Sequence, residues 1–246
     1  MSVDATASIA KDRLVVALDV PTVAQARELA AQLRGNCRWL KVGLELYLAT
    51  GNAMVEELAA QGFSVFLDLK FHDIPNTVAG AVRSAASMGA SLLTVHAAGG
   101  PAMLIAAAEA ASALPNAPRL LAVTVLTSMD RAQLAAIGIE ILAADQVLRL
   151  ARMAIVSGIQ GLVCSAEEVR LLRQELGENA QLVVPGIRPV GAAIGDQKRI
   201  ATPADAIRAG ASHLVVGRPI TNAADPAKAA QSILNEIANA ILPNSI

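Results

Sequence analysis

The sequence predicts one α/β domain, a (β/α)8 TIM barrel spanning residues 1–246. Three observations carry that prediction. Eight short apolar runs alternate strictly with alanine-rich helical patterns, the length is that of a barrel of about 250 residues, and no Pro/Gly/Ser linker or composition shift divides the chain. A doubly wound open sheet alternates in the same way, but a closed eight-stranded barrel uses this number of elements with none left over.

The candidate strands fall at 14–19, 39–44, 64–70, 92–96, 120–126, 161–164, 181–184 and 213–216. They are nearly continuous in apolar residues, as expected of parallel strands buried on both faces. Between them, helix ends are legible. Thr22 followed by Gln25, and Ser165 followed by Glu168, read as N-caps with capping boxes. Gly35, Gly62, Gly89, Gly158, Gly177 and Gly210 stand where helices should stop, because glycine takes the left-handed C′ conformation cheaply. The apolar stretch 102–113 is interrupted by Glu109 and is too short to span a bilayer, so it reads as a helix packed on the sheet. Residues 129–145, after the fifth strand, are long for a loop; a flexible flap and a short extra helix both fit.

Composition narrows the function. Hydrophobic residues make up 54% of the chain, enough for a large core, while aromatic residues make up only 2%, which argues against base-stacking platforms for nucleic acid. The formal charge of −1 and the lack of like-charge blocks give no sign of a polyanion partner. No apolar run is long enough for a membrane, and the first eleven residues do not read as a signal peptide. Two cysteines, Cys37 and Cys164, make no disulfide framework and fit a reducing, cytoplasmic setting.

The informative residues cluster at strand ends. Asp19 ends the first run, Lys41 lies within the second, Asp68 and Lys70 end the third and His96 ends the fourth. Thr127 and Ser128 follow the fifth, Gly186 and Arg188 the seventh, and Gly217 and Arg218 the eighth. In a parallel barrel these C-terminal ends converge on one mouth, where barrel active sites lie. Asp68 and Lys70 are two apart on a strand, so both side chains should point the same way, with Leu69 toward the helices. Asp73 follows closely, and Pro75 suits the first turn of a helix that would also hold Asn76 and Thr77. Acidic neighbours favour the ammonium form of Lys70, which can donate a proton but serves poorly as a Schiff-base amine. An ion-pair cluster that merely closes the barrel is the alternative reading of the same spacing. The loops 185–188 and 217–219 follow the strands that commonly build a barrel phosphate site. Their glycines let backbone N–H groups approach the oxygens, and Arg188 and Arg218 can grip them bidentately. Gln197 could add a side-chain amide.

The run Phe66-Leu67-Asp68-Leu69-Lys70-Phe71-His72-Asp73-Ile74-Pro75-Asn76-Thr77 resembles the signature of the orotidine 5′-monophosphate decarboxylase family, most of all its bacterial branch. The likeness extends over nearly the whole chain, through Val15-Val16-Ala17-Leu18-Asp19, Lys41-Val42-Gly43, Thr124-Val125-Leu126-Thr127-Ser128-Met129, Val163-Cys164-Ser165, Pro185-Gly186-Ile187-Arg188-Pro189, Gly195-Asp196-Gln197-Lys198-Arg199 and Val216-Gly217-Arg218-Pro219-Ile220. By that resemblance the substrate is orotidine 5′-monophosphate, the product UMP, and no cofactor or metal takes part. The resemblance makes Lys70 the proton donor and sets Asp68 beside the substrate carboxylate. It assigns Asp19 and Lys41 to the ribose and the charged network, and Thr127, with Ser128, to the pyrimidine. Arg188, Gln197, Gly217 and Arg218 take the phosphate. It also implies a homodimer in which Asp73, Ile74 and Thr77 complete the partner's site.

Carboxylates such as Asp68 and Asp73 could instead hold a hard cation, but Lys70 and the Asp19–Lys41 pair already balance their charge. His72 and His96 are read as packed or hydrogen-bonded residues rather than ligands. The nearest rival is a Mg2+-dependent sugar-phosphate decarboxylase or aldolase on the same barrel, which shares the Asp-x-Lys-x-x-Asp core; Ile74-Pro75-Asn76-Thr77 argues against it. A nucleotide-binding barrel without turnover is a second rival.

Overall fold

A computed structural model of the chain describes residues 3–189 and 201–242. The apolar runs form eight strands: β1 Leu14–Ala17, β2 Trp39–Gly43, β3 Ser64–Phe71, β4 Ala90–His96, β5 Arg119–Val123, β6 Gly161–Val163, β7 Gln181–Val184 and β8 His213–Val216. They pair in parallel in sequence order and close β8 onto β1. The expected (β/α)8 barrel is therefore the fold. Two strands stop two or more residues earlier than their residue types imply. β1 ends two residues before Asp19 and β5 ends four before Thr127, although Leu18 and Thr124 each still donate a backbone hydrogen bond to a neighbouring strand.

Helix signals hold in most particulars. The six stop glycines all take positive φ, between 72° and 105°. Ser165 and Glu168 form the reciprocal capping box. Thr22 caps the helix Val23–Leu33 through the Gln25 N–H, but the Gln25 side chain meets the Thr22 hydroxyl, so the reciprocal arm to the backbone is missing. Pro75 opens the helix Pro75–Ser87, and the apolar 102–113 stretch lies in the helix Gly100–Ser112 and its C-cap. The long segment after β5 contains a short helix, Arg131–Ala136, capped by Asp130 and Gln133 in a full capping box. Among the described residues no helix is long and apolar enough to cross a membrane.

Alternation along the strands divides the core in two. Val16, Leu40, Val65, Leu67, Leu93, Val95 and Leu162 face the helix ring and belong to the main core. Val15, Ala17, Phe66, Leu92, Leu121, Val183 and Val215 fill the barrel interior, with Trp39 and Val163 packed against them. The same inward rows continue to both ends of the barrel. At the N-terminal end they carry a polar floor: Arg119 donates to the Gln181 carboxamide oxygen at 2.8 Å, and the Gln181 nitrogen lies 3.1 Å from His213 Nδ1. Trp39 meets the His213 ring edge-on at 5.4 Å. At the C-terminal end the inward rows carry Lys41, Asp68 and Gly217.

The floor makes an acid-stability prediction. Burial, reinforced by Arg13 and Arg119 against a weaker opposing Asp12, pushes the His213 imidazole down to about 4. A depressed histidine contributes stability that is complete above the unfolded value near 6.5 and is lost as pH falls toward 4, because only the unfolded chain then takes up the proton. That loss should be on the order of 2–3 kcal/mol. Urea unfolding at pH 7 and pH 4.5 should show a smaller acid loss for His213→Gln than for the parent protein; equal losses would contradict the assignment.

Candidate active site

The barrel mouth opens on a cavity of about 590 Å3. Asp19, Lys41, Asp68, Lys70, Thr127, Ser128, Arg188, Gly217 and Arg218 all line it, so most of the residues singled out in the sequence converge on one chamber. Their placement follows from strand register. Ala17 pairs with Lys41, and Gly43 with Asp68, which brings the C-terminal ends of β1, β2 and β3 together.

At the centre is an alternating chain of charge. Lys41 Nζ lies 2.8 Å from Asp19 Oδ1 and 3.6 Å from Asp68 Oδ2. Lys70 Nζ lies 2.8 Å from Asp68 Oδ1. The side chain of Asp68 is 13% exposed and that of Lys41 8%, whereas Lys70 retains 32% and reaches into the cavity. Burial is the largest single influence on Asp68 and pushes its carboxyl up. The charges of Lys41 and Lys70, with hydrogen bonds from Lys70 and Thr94, outweigh it and hold the group below the usual carboxylate range. Asp68 therefore stays anionic and keeps both ammonium groups in place.

Asp68 and Lys70 face the same side, as alternation predicts, but the backbone between them is irregular. β3 does not run regularly there. Leu67 pairs with Leu93 and Phe71 with Val95, so Asp68, Leu69 and Lys70 bulge opposite the single residue Thr94. Lys70 adopts φ 51°, the one non-glycine residue with positive φ among those described. The two side chains meet through a bulge that re-aims the lysine, a use to which irregular strand ends beside active sites are often put. Leu69 packs against the helix-side core as expected.

Asp73, Ile74 and Thr77 do not join this cluster within one chain. All three are exposed, Ile74 at 67%, and Asp73 Oδ1 accepts the Ile74 N–H at 2.7 Å. His72 and His96 stack at 5.5 Å beside the site, and burial followed by the charges of His72 and Lys70 holds the His96 imidazole below its ordinary value. On the opposite side of the mouth, the buried Arg188 donates to the Ile187 carbonyl at 2.8 Å. Arg218 begins a short helix, Arg218–Thr221, immediately after Gly217. Gln197 lies outside the described residues.

Comparison with known proteins identifies the family. A family model described as orotidine 5′-phosphate decarboxylase / HUMPS family matches residues 12–233. The chain belongs to the orotidine 5′-phosphate decarboxylase / HUMPS family. It is 56% identical to an orotidine 5′-phosphate decarboxylase of Halorhodospira halophila over 93% of this chain and 97% of that protein. It is 52% identical to one from Nitrosococcus oceani over 93% and 99%. Among solved structures, the orotidine 5′-phosphate decarboxylase of Lactobacillus acidophilus superimposes with a TM-score of 0.82 at 39% identity, covering 92% of this chain and 99% of that one.

Two residues of this family member escaped the sequence reading of the site. Thr94 is fully buried and hydrogen-bonded to both Asp68 and Lys70. It lies two before His96, so period-two spacing put it on the same inward face. Gly43 lies two after Lys41 and carries no functional group that would single it out. A Cβ there would sit 2.8 Å from Asp19 Oδ1 and 2.9 Å from Lys41 Nζ, inside their ion pair. Its φ of −95° is open to any residue, so the constraint is space alone. Because the atoms in the way are ends of mobile side chains, Gly43→Ala should fold with a melting temperature near the parent's. Its crystal structure should nevertheless show Lys41 Nζ separated from Asp19; an undisturbed 2.8 Å pair would refute the argument.

Proposed function

We propose that this family member decarboxylates orotidine 5′-monophosphate to UMP, the closing step of de novo pyrimidine synthesis, with Lys70 as the proton donor. The observation that carries the reading is the Lys70 ammonium, held 2.8 Å from a largely buried Asp68 and exposed to the cavity. Breaking the bond from C6 to the carboxylate releases CO2 and leaves the electron pair on C6. A preorganised ammonium aimed at that carbon stabilises the growing charge and then transfers its proton, giving UMP. The lysine regains a proton from solvent. No electron acceptor is required of a cofactor in this scheme.

The remaining residues take supporting roles. Asp68 lies beside the departing carboxylate and orients Lys70. Asp19 and Lys41 bind the ribose and keep the charge chain in order. Thr127, with Ser128, contacts the pyrimidine, and Arg188, Gln197, Gly217 and Arg218 bind the phosphate. Phosphate binding far from C6 can be used to close loops and order the charges, so that it raises the rate rather than affinity alone.

Removing one well-aimed electrostatic donor typically costs about 3–4 kcal/mol, roughly a hundred- to thousand-fold in rate. Lys70→Ala should lose at least that much kcat in a spectrophotometric orotidylate assay while its circular dichroism is unchanged; near-parental turnover by the folded variant would overturn the assignment. Turnover should survive EDTA. Its abolition by chelation would favour a Mg2+-dependent sugar-phosphate enzyme of the same family.

The exposure of Asp73, Ile74 and Thr77 supports a homodimer in which they reach the partner's mouth. Asp73 would then belong to the catalytic constellation of the other subunit. A test follows from the arithmetic of shared sites. Lys70→Ala and Asp73→Ala variants, each impaired alone, should regain activity when mixed and allowed to exchange subunits, because a mixed dimer has one site with both defects and one with neither. No recovery in verified mixed dimers would sink the shared-site arrangement. Cys37 and Cys164 are both buried and neither is in a disulfide, which fits a cytoplasmic enzyme.

A further inference from the structure

The bulge in β3 places an unusual demand on its neighbour. Lys70 holds a left-handed backbone, which is unfavourable for a non-glycine residue, and the displaced register takes its N–H away from the regular ladder. Thr94 meets both needs. Its Oγ1 accepts the Lys70 N–H at 2.9 Å and donates to Asp68 Oδ1 at 3.0 Å. That same carboxylate oxygen receives Lys70 Nζ at 2.8 Å. One hydroxyl thus ties the backbone of the lysine to the carboxylate that holds its ammonium, closing a small ring of hydrogen bonds. The threonine is fully buried on the inward face of β4, so no water replaces the hydroxyl without a rearrangement.

We propose that Thr94 is a positioning residue of the reaction, fixing the β3 bulge so that Lys70 and Asp68 keep the geometry the proton transfer needs. This rests on the reading of Lys70 as proton donor. Thr94 lines no part of the cavity described above and touches the chemistry only through its two partners. A hydroxyl can serve here because it donates and accepts at once. Valine has the same shape and can do neither, while serine keeps the hydroxyl.

The charged and titratable groups around the carboxylate are Lys41 from β2, Asp19 beyond β1, Lys70 from β3 itself and His96 from β4. Donation from Thr94 favours the anionic form of Asp68. Removing the donor raises that carboxyl, so the acid limb of the kcat profile should move to higher pH.

The experiment compares the parent with Thr94→Val and Thr94→Ser in kcat, KM, pH profile and UMP affinity. Misplacement of this kind should lower kcat of Thr94→Val about ten- to hundred-fold, with KM and UMP binding changed less than about threefold. Its acid limb should shift upward, and Thr94→Ser should recover most of both properties. A folded Thr94→Val with parental kcat and acid limb would overturn the proposal while leaving the function intact, as would a Thr94→Ser as impaired as Thr94→Val. Should Thr94→Val not fold, parental behaviour in Thr94→Ser supports the hydroxyl's role and a valine-like defect rejects it. A parent protein that does not turn over orotidylate would instead refute the function itself.

Discussion

A largely buried carboxylate shared between two ammonium groups organises the barrel mouth. Asp68 pays a desolvation penalty that would leave an isolated acid protonated, and the flanking Lys41 and Lys70 reverse that outcome. The relation is mutual. Without the anion two cations would face one another in a partly buried site, and without the cations the carboxylate would lose its charge. Lys41 is anchored on its other side by Asp19, which leaves Lys70 as the terminal, most cavity-facing positive charge of the chain. Such a charge needs little rearrangement to meet a carbanion, which is the advantage of preorganised electrostatics over water.

The fold delivers that arrangement through one repeated device. Inward-facing positions alternate along every strand, and the middle of the barrel interior, with Val15, Phe66, Leu92, Leu121, Val183 and Val215, is apolar. This apolar interior lies between a polar floor and the charged mouth. Trp39 and Lys41 occupy successive inward positions of β2, and His213, Val215 and Gly217 do the same on and just beyond β8. The floor is built for stability, with a neutral His213 held by Gln181 and Trp39. The mouth accepts costs that the floor avoids: a left-handed lysine, a broken register and a dense set of charges. Local irregularity confined to one end of a regular barrel is what a functional site on a rigid scaffold requires.

Much of this was legible in residue types. Eight apolar runs identified the barrel because parallel strands buried on both faces leave a strong signature, and six glycines marked helix ends because few other residues take positive φ cheaply. Charged residues at apolar strand ends identified the mouth. The failures have physical causes as well. Asp19 and Thr127 were read at strand ends because apolar residues continue past the last paired position. Alternation places Asp68 and Lys70 on one face and Leu69 on the other, as observed, but it does not reveal the register shift between them, since no residue type announces a bulge of this kind. Thr94 was overlooked because threonine is an ordinary strand residue, and its importance depends on the register of its neighbour. The outward position of Asp73, Ile74 and Thr77 depends on how the loop leaves β3, which strand alternation does not specify.

The most direct measurement is a crystal structure with UMP bound in the mouth, refined together with its metal content by anomalous scattering. Lys70 Nζ should lie within hydrogen-bonding or van der Waals reach of pyrimidine C6, with phosphate oxygens at Arg218 and Asp68 still joined to both lysines. A nucleotide whose ring lies remote from that amine, or a divalent ion coordinated by Asp68, would contradict the proton-donor reading.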